Sequence, residues 1–122
     1  MATLVASGSS LNIPSGSGTE RVRRAVLQGN TSTNTLLTGV AGHLYTVISI
    51  VCAEQQNLAG TIQIHIANGT NTTSLVSSQA IGKMEVFVWN DKFVLEEDDV
   101  LTVYNSTTDN DWYISYIDQD WT

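Results

Sequence analysis

The chain has little of the chemistry that defines several classes of protein. Its single cysteine, Cys52, excludes an intrachain disulfide framework and a cysteine-rich zinc site. Only 14% of the 122 residues are charged and the formal net charge is −7, which disfavours a general nucleic-acid binder because such proteins need a basic face. No apolar run approaches the roughly 18 residues that a membrane-spanning helix requires. The 42% apolar content is enough for one modest core.

The N-terminal segment differs in composition from the rest of the chain. Residues 1–20 are rich in glycine and serine and contain the only proline, Pro14. Such a segment cannot bury enough apolar surface to offset the entropy cost of ordering. We therefore predict a flexible, extended N-terminal arm over residues 1–20, followed by a single domain over residues 21–122.

Apolar side chains along that domain recur with the two-residue period of β-strands. Thr61–Ala67 alternates without error, so its three isoleucines share one face. Leu44–Ala53 is apolar on both faces, which is typical of a strand between two layers. Shorter strand patterns occur at Arg21–Gln28, Met84–Trp89, Phe93–Leu95, Val100–Tyr104 and Trp112–Ile117. Since no stretch longer than two turns has a helical period, the sequence predicts an all-β fold, an antiparallel β-sandwich that is jelly-roll-like.

Reactive residue types are sparse and lie outside known catalytic spacings. His43 and His65 are the only imidazoles, and neither belongs to a nucleophile motif. The acidic run Glu96–Asp99 lacks the alternation of ligands and spacers, and the central glycine, of a calcium loop. We expect a solvated turn there, and for the whole chain no enzymatic activity, no metal and no cofactor.

Three of the five basic residues fall together in the sequence, at Arg21, Arg23 and Arg24. They either lie in solvent or pair with the protein's own acidic groups, or they form a basic patch that docks on an acidic partner. We predict that these arginines contact a partner protein.

Aromatic residues gather near the C-terminus, and Trp112, Tyr116 and Trp121 are predicted to pack within or between subunits. Trp112 and Tyr113 alternate, so one of them must face away from the core. An exposed aromatic platform for sugars is the alternative interpretation.

The order of strands and turns from about residue 38 to residue 118 resembles a known family. The features that carry the resemblance are Gly42, Leu44–Cys52, Thr61–Ala67, Asn68-Gly69, Val86–Trp89, Phe93–Val103 and Trp112–Ile117. Together they resemble the small jelly-roll or β-sandwich structural proteins of tailed bacteriophages. Those modules more often have glycine before the aspartate of the acidic turn, where this chain has Asp98.

The resemblance implies a virion component: a capsid decoration (cement) protein, a head fibre, or a tail or baseplate part, often a trimer. We expect a homotrimer, made in the host cytoplasm, that decorates the capsid surface and clamps neighbouring subunits of the major capsid protein. Its partners would be itself and the major capsid protein or another virion protein, with no role for nucleic acid or membrane. A head-fibre or tail component and a glycan-binding β-sandwich module are the alternatives.

Overall fold

The computed structural model describes residues 18–107 and 110–121, and those residues form nine β-strands. The strands are β1 (Thr19–Gln28), β2 (Thr33–Thr38), β3 (His43–Glu54), β4 (Gly60–Asn68), β5 (Asn71–Ile81), β6 (Val86–Trp89), β7 (Phe93–Leu95), β8 (Asp99–Asn105) and β9 (Asn110–Asp120). Sheet A has the order β1-β9-β3-β6, with β7 also paired to β3, and sheet B has the order β2-β8-β4-β5. The described residues contain no helix that could span a membrane.

The strand pairs are nested as in a jelly roll. The pairs β1–β9, β2–β8, β3–β6/β7 and β4–β5 are all antiparallel, and successive pairs alternate between sheet A and sheet B. This alternation arises when one long antiparallel hairpin wraps around the axis of a barrel. Each pair of strands then lies in the sheet opposite the next pair. The predicted all-β, jelly-roll-like sandwich is therefore confirmed. Strand β1 begins at Thr19, two residues before the predicted domain boundary, and most of the predicted arm, residues 1–17, lies outside the described residues.

A β-bulge explains why β3 is apolar on both faces. Tyr45 and Val47 point into the core in the first half of the strand, and Ile50 and Cys52 do so in the second half. The register with β9 shifts between Val47 and Ser49, so the parity of the inward positions changes at that point. An extra residue in one strand reverses which side chains face inward. Strict alternation over Leu44–Ala53 therefore could not assign the two faces.

Strands β2 and β5 were not predicted because Thr, Ser and Asn dominate them. Most residues of β5 are exposed, and this strand forms an edge of sheet B. An edge strand with one neighbour buries few side chains, so its sequence needs little apolar character. The core lies between the sheets and is built from apolar side chains of both, among them Val47, Ile50, Ile62, Ile64, Leu95, Leu101, Val103, Trp112 and Ile114.

The acidic run forms a tight turn between β7 and β8. Asp99 closes the turn, since its Oδ2 accepts a hydrogen bond from the Glu96 backbone N–H at 2.9 Å and its Oδ1 accepts one from Asn68 Nδ2 at 2.6 Å. Asp98 has φ 70°, in the left-handed region that favours glycine. Glycine would meet this backbone requirement without a steric penalty.

Replacing Asp98 with glycine is expected to stabilise the fold by about 0.5 kcal/mol, because relief of the left-handed strain exceeds the backbone entropy cost of glycine. Chemical denaturation of D98G beside E97G, a change at a neighbouring turn position without positive φ, measures the difference. Equal destabilisation of both variants would show that the turn carries no such strain.

Candidate interaction surface

The three arginines of β1 do not share one face. Arg23 is in register with the buried Tyr116 and Arg24 with Ser115, and alternation along the strand puts Arg21 on the same side as Arg23. All three side chains are exposed. The structure thus places Arg21 and Arg23 toward the rim of the sandwich and Arg24 on the outer face of sheet A.

Arg23 is tied to a carboxylate of its own chain. Its Nε lies 3.0 Å from Asp118 Oδ2, and the Asp118 side chain is only 4% exposed. The other oxygen, Oδ1, contacts His43 Nδ1 at 2.8 Å. A buried carboxylate needs such partners because desolvation of an unpaired charge is costly. The contact therefore fastens the edge strand β1 to β9 and β3.

The rings beside Asp118 belong to the same cluster. Tyr45 and Tyr116 meet edge to face with centroids 5.1 Å apart. Burial is the main cause that raises the pKa of both phenols, and the Asp118 carboxylate raises each of them further. This end of the sandwich is consequently closed by packed aromatic and charged side chains of sheet A.

A second polar network closes the opposite end. The buried Glu54 accepts hydrogen bonds from Thr107 Oγ1 at 2.6 Å and from the Gln56 backbone N–H at 2.8 Å. The buried Asn105 accepts a hydrogen bond from Trp112 Nε1 at 3.2 Å and donates one to the Asn30 carbonyl at 2.8 Å. The polar groups of this network form hydrogen bonds with one another, as buried polar groups generally do. Nowhere in residues 18–107 and 110–121 do three or more His, Cys, Asp or Glu side chains form a group suited to a metal ion.

The C-terminal aromatics separate into core and surface residues. Trp112 is 1% exposed and Tyr116 is 7% exposed, so both pack within the subunit and are not available to a neighbour. Trp121 is 40% exposed, and its ring lies against Gly18. Tyr113, also 40% exposed, is the member of the Trp112–Tyr113 pair that faces outward.

The outer face of sheet A, which we call the sheet A face, exposes several apolar side chains. Since the neighbouring positions of β9 are buried, Tyr113, Ser115 and Ile117 point outward, and the strand registers identify their neighbours on this side. The exposed apolar side chains of the sheet A face are Val22, Val26, Val86, Val88, Val94 and Tyr113. Exposed apolar side chains that gather on one face of a small domain indicate a site of interaction.

The outer face of sheet B has a different composition. The outward positions of β4 and of the adjoining β5 are mainly Thr, Gln, His and Ser, among them Thr61, Gln63, His65, Thr72 and Ser74. His65 Nε2 contacts Gln63 Oε1 at 2.9 Å, so this imidazole belongs to a polar surface. The outside of sheet B is therefore solvated, as is usual for antiparallel sheets, whereas the outside of sheet A exposes several apolar side chains beside polar ones such as Arg24 and Asp111.

A shallow groove crosses the sheet A face toward the Glu54 end of the sandwich. It is lined by Val26, Leu27, Gln28, Val51, Ala53, Gln55, Asp111, Trp112 and Tyr113. The groove combines an exposed aromatic ring with amide and carboxylate groups at its border. Individual residues of this surface were noted in the sequence, but their juxtaposition depends on pairing β1 with β9, which the sequence pattern does not specify.

Cys52 lies beneath this face, in the core. It is fully buried, and Asn110 Nδ2 approaches its sulfur at 3.6 Å. Burial raises the pKa of its thiol from 9.0 to about 12. The thiol is therefore protonated and inaccessible in the folded protein at neutral pH.

Comparison with known proteins finds structures that are similar to this chain but no match by sequence. No family model and no curated protein matches the sequence. A solved structure from the work "Bacillus endospore appendages form a novel family of disulfide-linked pili" is similar, with a TM-score of 0.52 and 8% identity over 86% of this chain and 89% of that chain. Two structures of a pentameric capsid protein isolated from metagenomic phage sequences have TM-scores of 0.44 and 0.39, with 12% and 15% identity over 80% of this chain and 61% of theirs. At these identities the similarity to the pilus protein is one of fold.

Proposed function

We propose that the protein is a structural subunit of a virion, a capsid decoration (cement) protein that joins its assembly through the sheet A face. The observation that carries this proposal is the apolar outer surface formed by Val22, Val26, Val86, Val88, Val94 and Tyr113. In water this surface costs free energy, and covering it in an assembly recovers that cost. A structural subunit has a use for such a face, because it must bind its neighbours in the assembly.

Contacts within the assembly would be noncovalent. The pilus protein of similar fold is described as disulfide-linked. Here the only cysteine, Cys52, is buried in the core, so the folded chain offers no thiol for a link between subunits. Apolar burial and charge pairing are the forces that remain.

The basic edge strand suits the second half of the proposed role. Arg21 extends from β1 beside the end of the chain that leads into residues 1–17. We propose that this edge and the N-terminal segment face the major capsid protein, so that each copy links neighbouring shell subunits. The resemblance to phage decoration proteins implies that three copies associate as a homotrimer.

Electron microscopy of intact particles carrying labelled protein tests the location. We expect label at regular positions on the outer capsid surface. A variant that lacks residues 1–17 is expected to fold but no longer to bind the capsid. Label confined to the tail or to head fibres would assign the protein to those structures instead. A protein absent from every particle would overturn the proposed function.

A glycan-binding module is the second candidate, and the groove beside Tyr113 is the observation that favours it. An aromatic ring with nearby Gln28, Gln55 and Asp111 offers both a stacking surface and polar partners for hydroxyl groups. A glycan array read with wild-type protein and Y113A distinguishes the two functions. Binding that depends on Tyr113 would support the glycan-binding module over the decoration protein.

A further inference from the structure

One apolar row of the sheet A face crosses four strands, β1, β9, β3 and β6. Val26 is in register with Tyr113, Tyr113 with Val51, and Val51 with Val88. This row coincides with much of the groove wall. It is therefore the part of the face best suited to be the centre of a contact.

Opposite charges lie on the two sides of this row, at equal distances along the strands. Two residues to one side are Arg24 on β1 and Ser115 on β9, and two residues to the other side are Gln28 and Asp111. Two residues of an extended strand span about 7 Å. A two-fold axis that runs along the apolar row would thus exchange the positive side with the acidic side.

We propose that the occupant of the sheet A face is a second copy of this chain, packed face to face about such a two-fold axis. The apolar row then lies on its own symmetry mate, with Tyr113 near the centre. Arg24 of each copy lies against Gln28 and Asp111 of the other. This inference rests on the proposed function, since it names the partner for the surface assigned there, and it leaves the β1 edge and residues 1–17 to contact the shell.

The arrangement satisfies what a self-association surface needs. An isologous contact requires one patch to be complementary to itself, which the charge pattern provides. Two sheets pack about 10 Å apart with their strands nearly aligned, and an arginine side chain can reach a neighbouring row across that spacing. A two-fold axis parallel to the strands would also set the apolar row of one copy on that of the other. It would leave Arg24 of one copy and Asp111 of the other on opposite sides of the row, so the two charges could not pair.

Arg24 and Asp111 do not form a pair within one chain. Arg24 is in register with Ser115, and Ser115 is four residues, or about 13 Å, from Asp111 along β9. Exchanging the two charges therefore reports on a contact between copies.

Sedimentation equilibrium of the full-length protein over a micromolar concentration range tests the proposal. We expect reversible association to a dimer or to a multiple of two copies, with a trimer built through other surfaces appearing as a hexamer. R24D and D111R should each raise the dissociation constant by about tenfold or more, because each sets like charges together. The double variant R24D/D111R should restore the dissociation constant to within about threefold of wild type. K83D is the matched control, since it reverses an exposed charge outside the three rows.

The other results overturn the proposal in distinguishable ways. A wild-type protein that is strictly monomeric or strictly trimeric excludes the two-fold contact, and so does a double variant as weak as either single variant. If such a protein still binds capsids through the sheet A face, the occupant is the shell protein and the proposed function stands. If it binds a glycan there instead, both the two-fold contact and the decoration role fail.

Discussion

Replacing Val26 with lysine is expected to remove the protein from its assembly while leaving the monomer folded. Val26 is 61% exposed in the isolated chain, so a lysine side chain fits there without disturbing the core. In the assembly the same position is covered, and a desolvated ammonium without a partner costs at least about 2 kcal/mol. That cost corresponds to about a thirtyfold loss of affinity. Sedimentation equilibrium of V26K beside the wild type measures the dissociation constant of the contact between copies.

The matched control for V26K is T72K, on the other side of the sandwich. Thr72 is exposed and points outward from sheet B, next to Ala67 of β4. A lysine at this position adds the same charge to a surface that is already polar. We expect T72K to assemble like the wild type, and equal losses in V26K and T72K would show that net charge, not the sheet A face, controls assembly.

Truncation of Trp112 to alanine is expected to cost about 3–5 kcal/mol of unfolding free energy. Trp112 is 1% exposed and is one of the largest side chains of the core. Its indole Nε1 also donates to Asn105 Oδ1, so removal leaves a buried carbonyl oxygen without that donor. A domain of this size has only about 5–15 kcal/mol of stability, and W112A is therefore expected to be partly unfolded at 37 °C.

Tyr113 provides the comparison, because it is the next residue on the same strand and faces the opposite way. Y113A removes an aromatic ring that is 40% exposed, and we expect it to lower the unfolding free energy by about 1 kcal/mol or less. Urea denaturation followed by circular dichroism measures both variants. Similar losses for W112A and Y113A would contradict the assignment of one ring to the core and the other to the surface.

Local patterns in the sequence were sufficient to predict the class of fold. The alternation over Thr61–Ala67 reports burial directly, because Ile62 and Ile64 each lie in the core. The same rule failed to predict β5, whose edge position asks for little apolar content. It also could not assign the faces of β3, where one bulge residue reverses the inward parity after Val47.

The candidate surface was harder to predict than the fold because it is assembled from distant segments. Val26 and Tyr113 are neighbours only through the pairing of the first strand with the last. The same pairing brings Arg23 to Asp118, and the buried carboxylate holds an arginine that the sequence assigned to a partner. Alternation along β1 separates Arg24 from the other two arginines, which a cluster in the sequence does not reveal.

The most direct test of the assembly surface is its accessibility to a thiol reagent. Cys52 is buried and its thiol pKa is raised to about 12, so the native protein supplies an unreactive background. Val88 is 47% exposed on the sheet A face, and Thr72 is exposed on sheet B. We expect the cysteine of V88C to react with maleimide in the dissociated protein and to be protected in assembled particles, whereas that of T72C reacts in both. Equal labelling of V88C in the two states would contradict the assignment of the sheet A face to assembly.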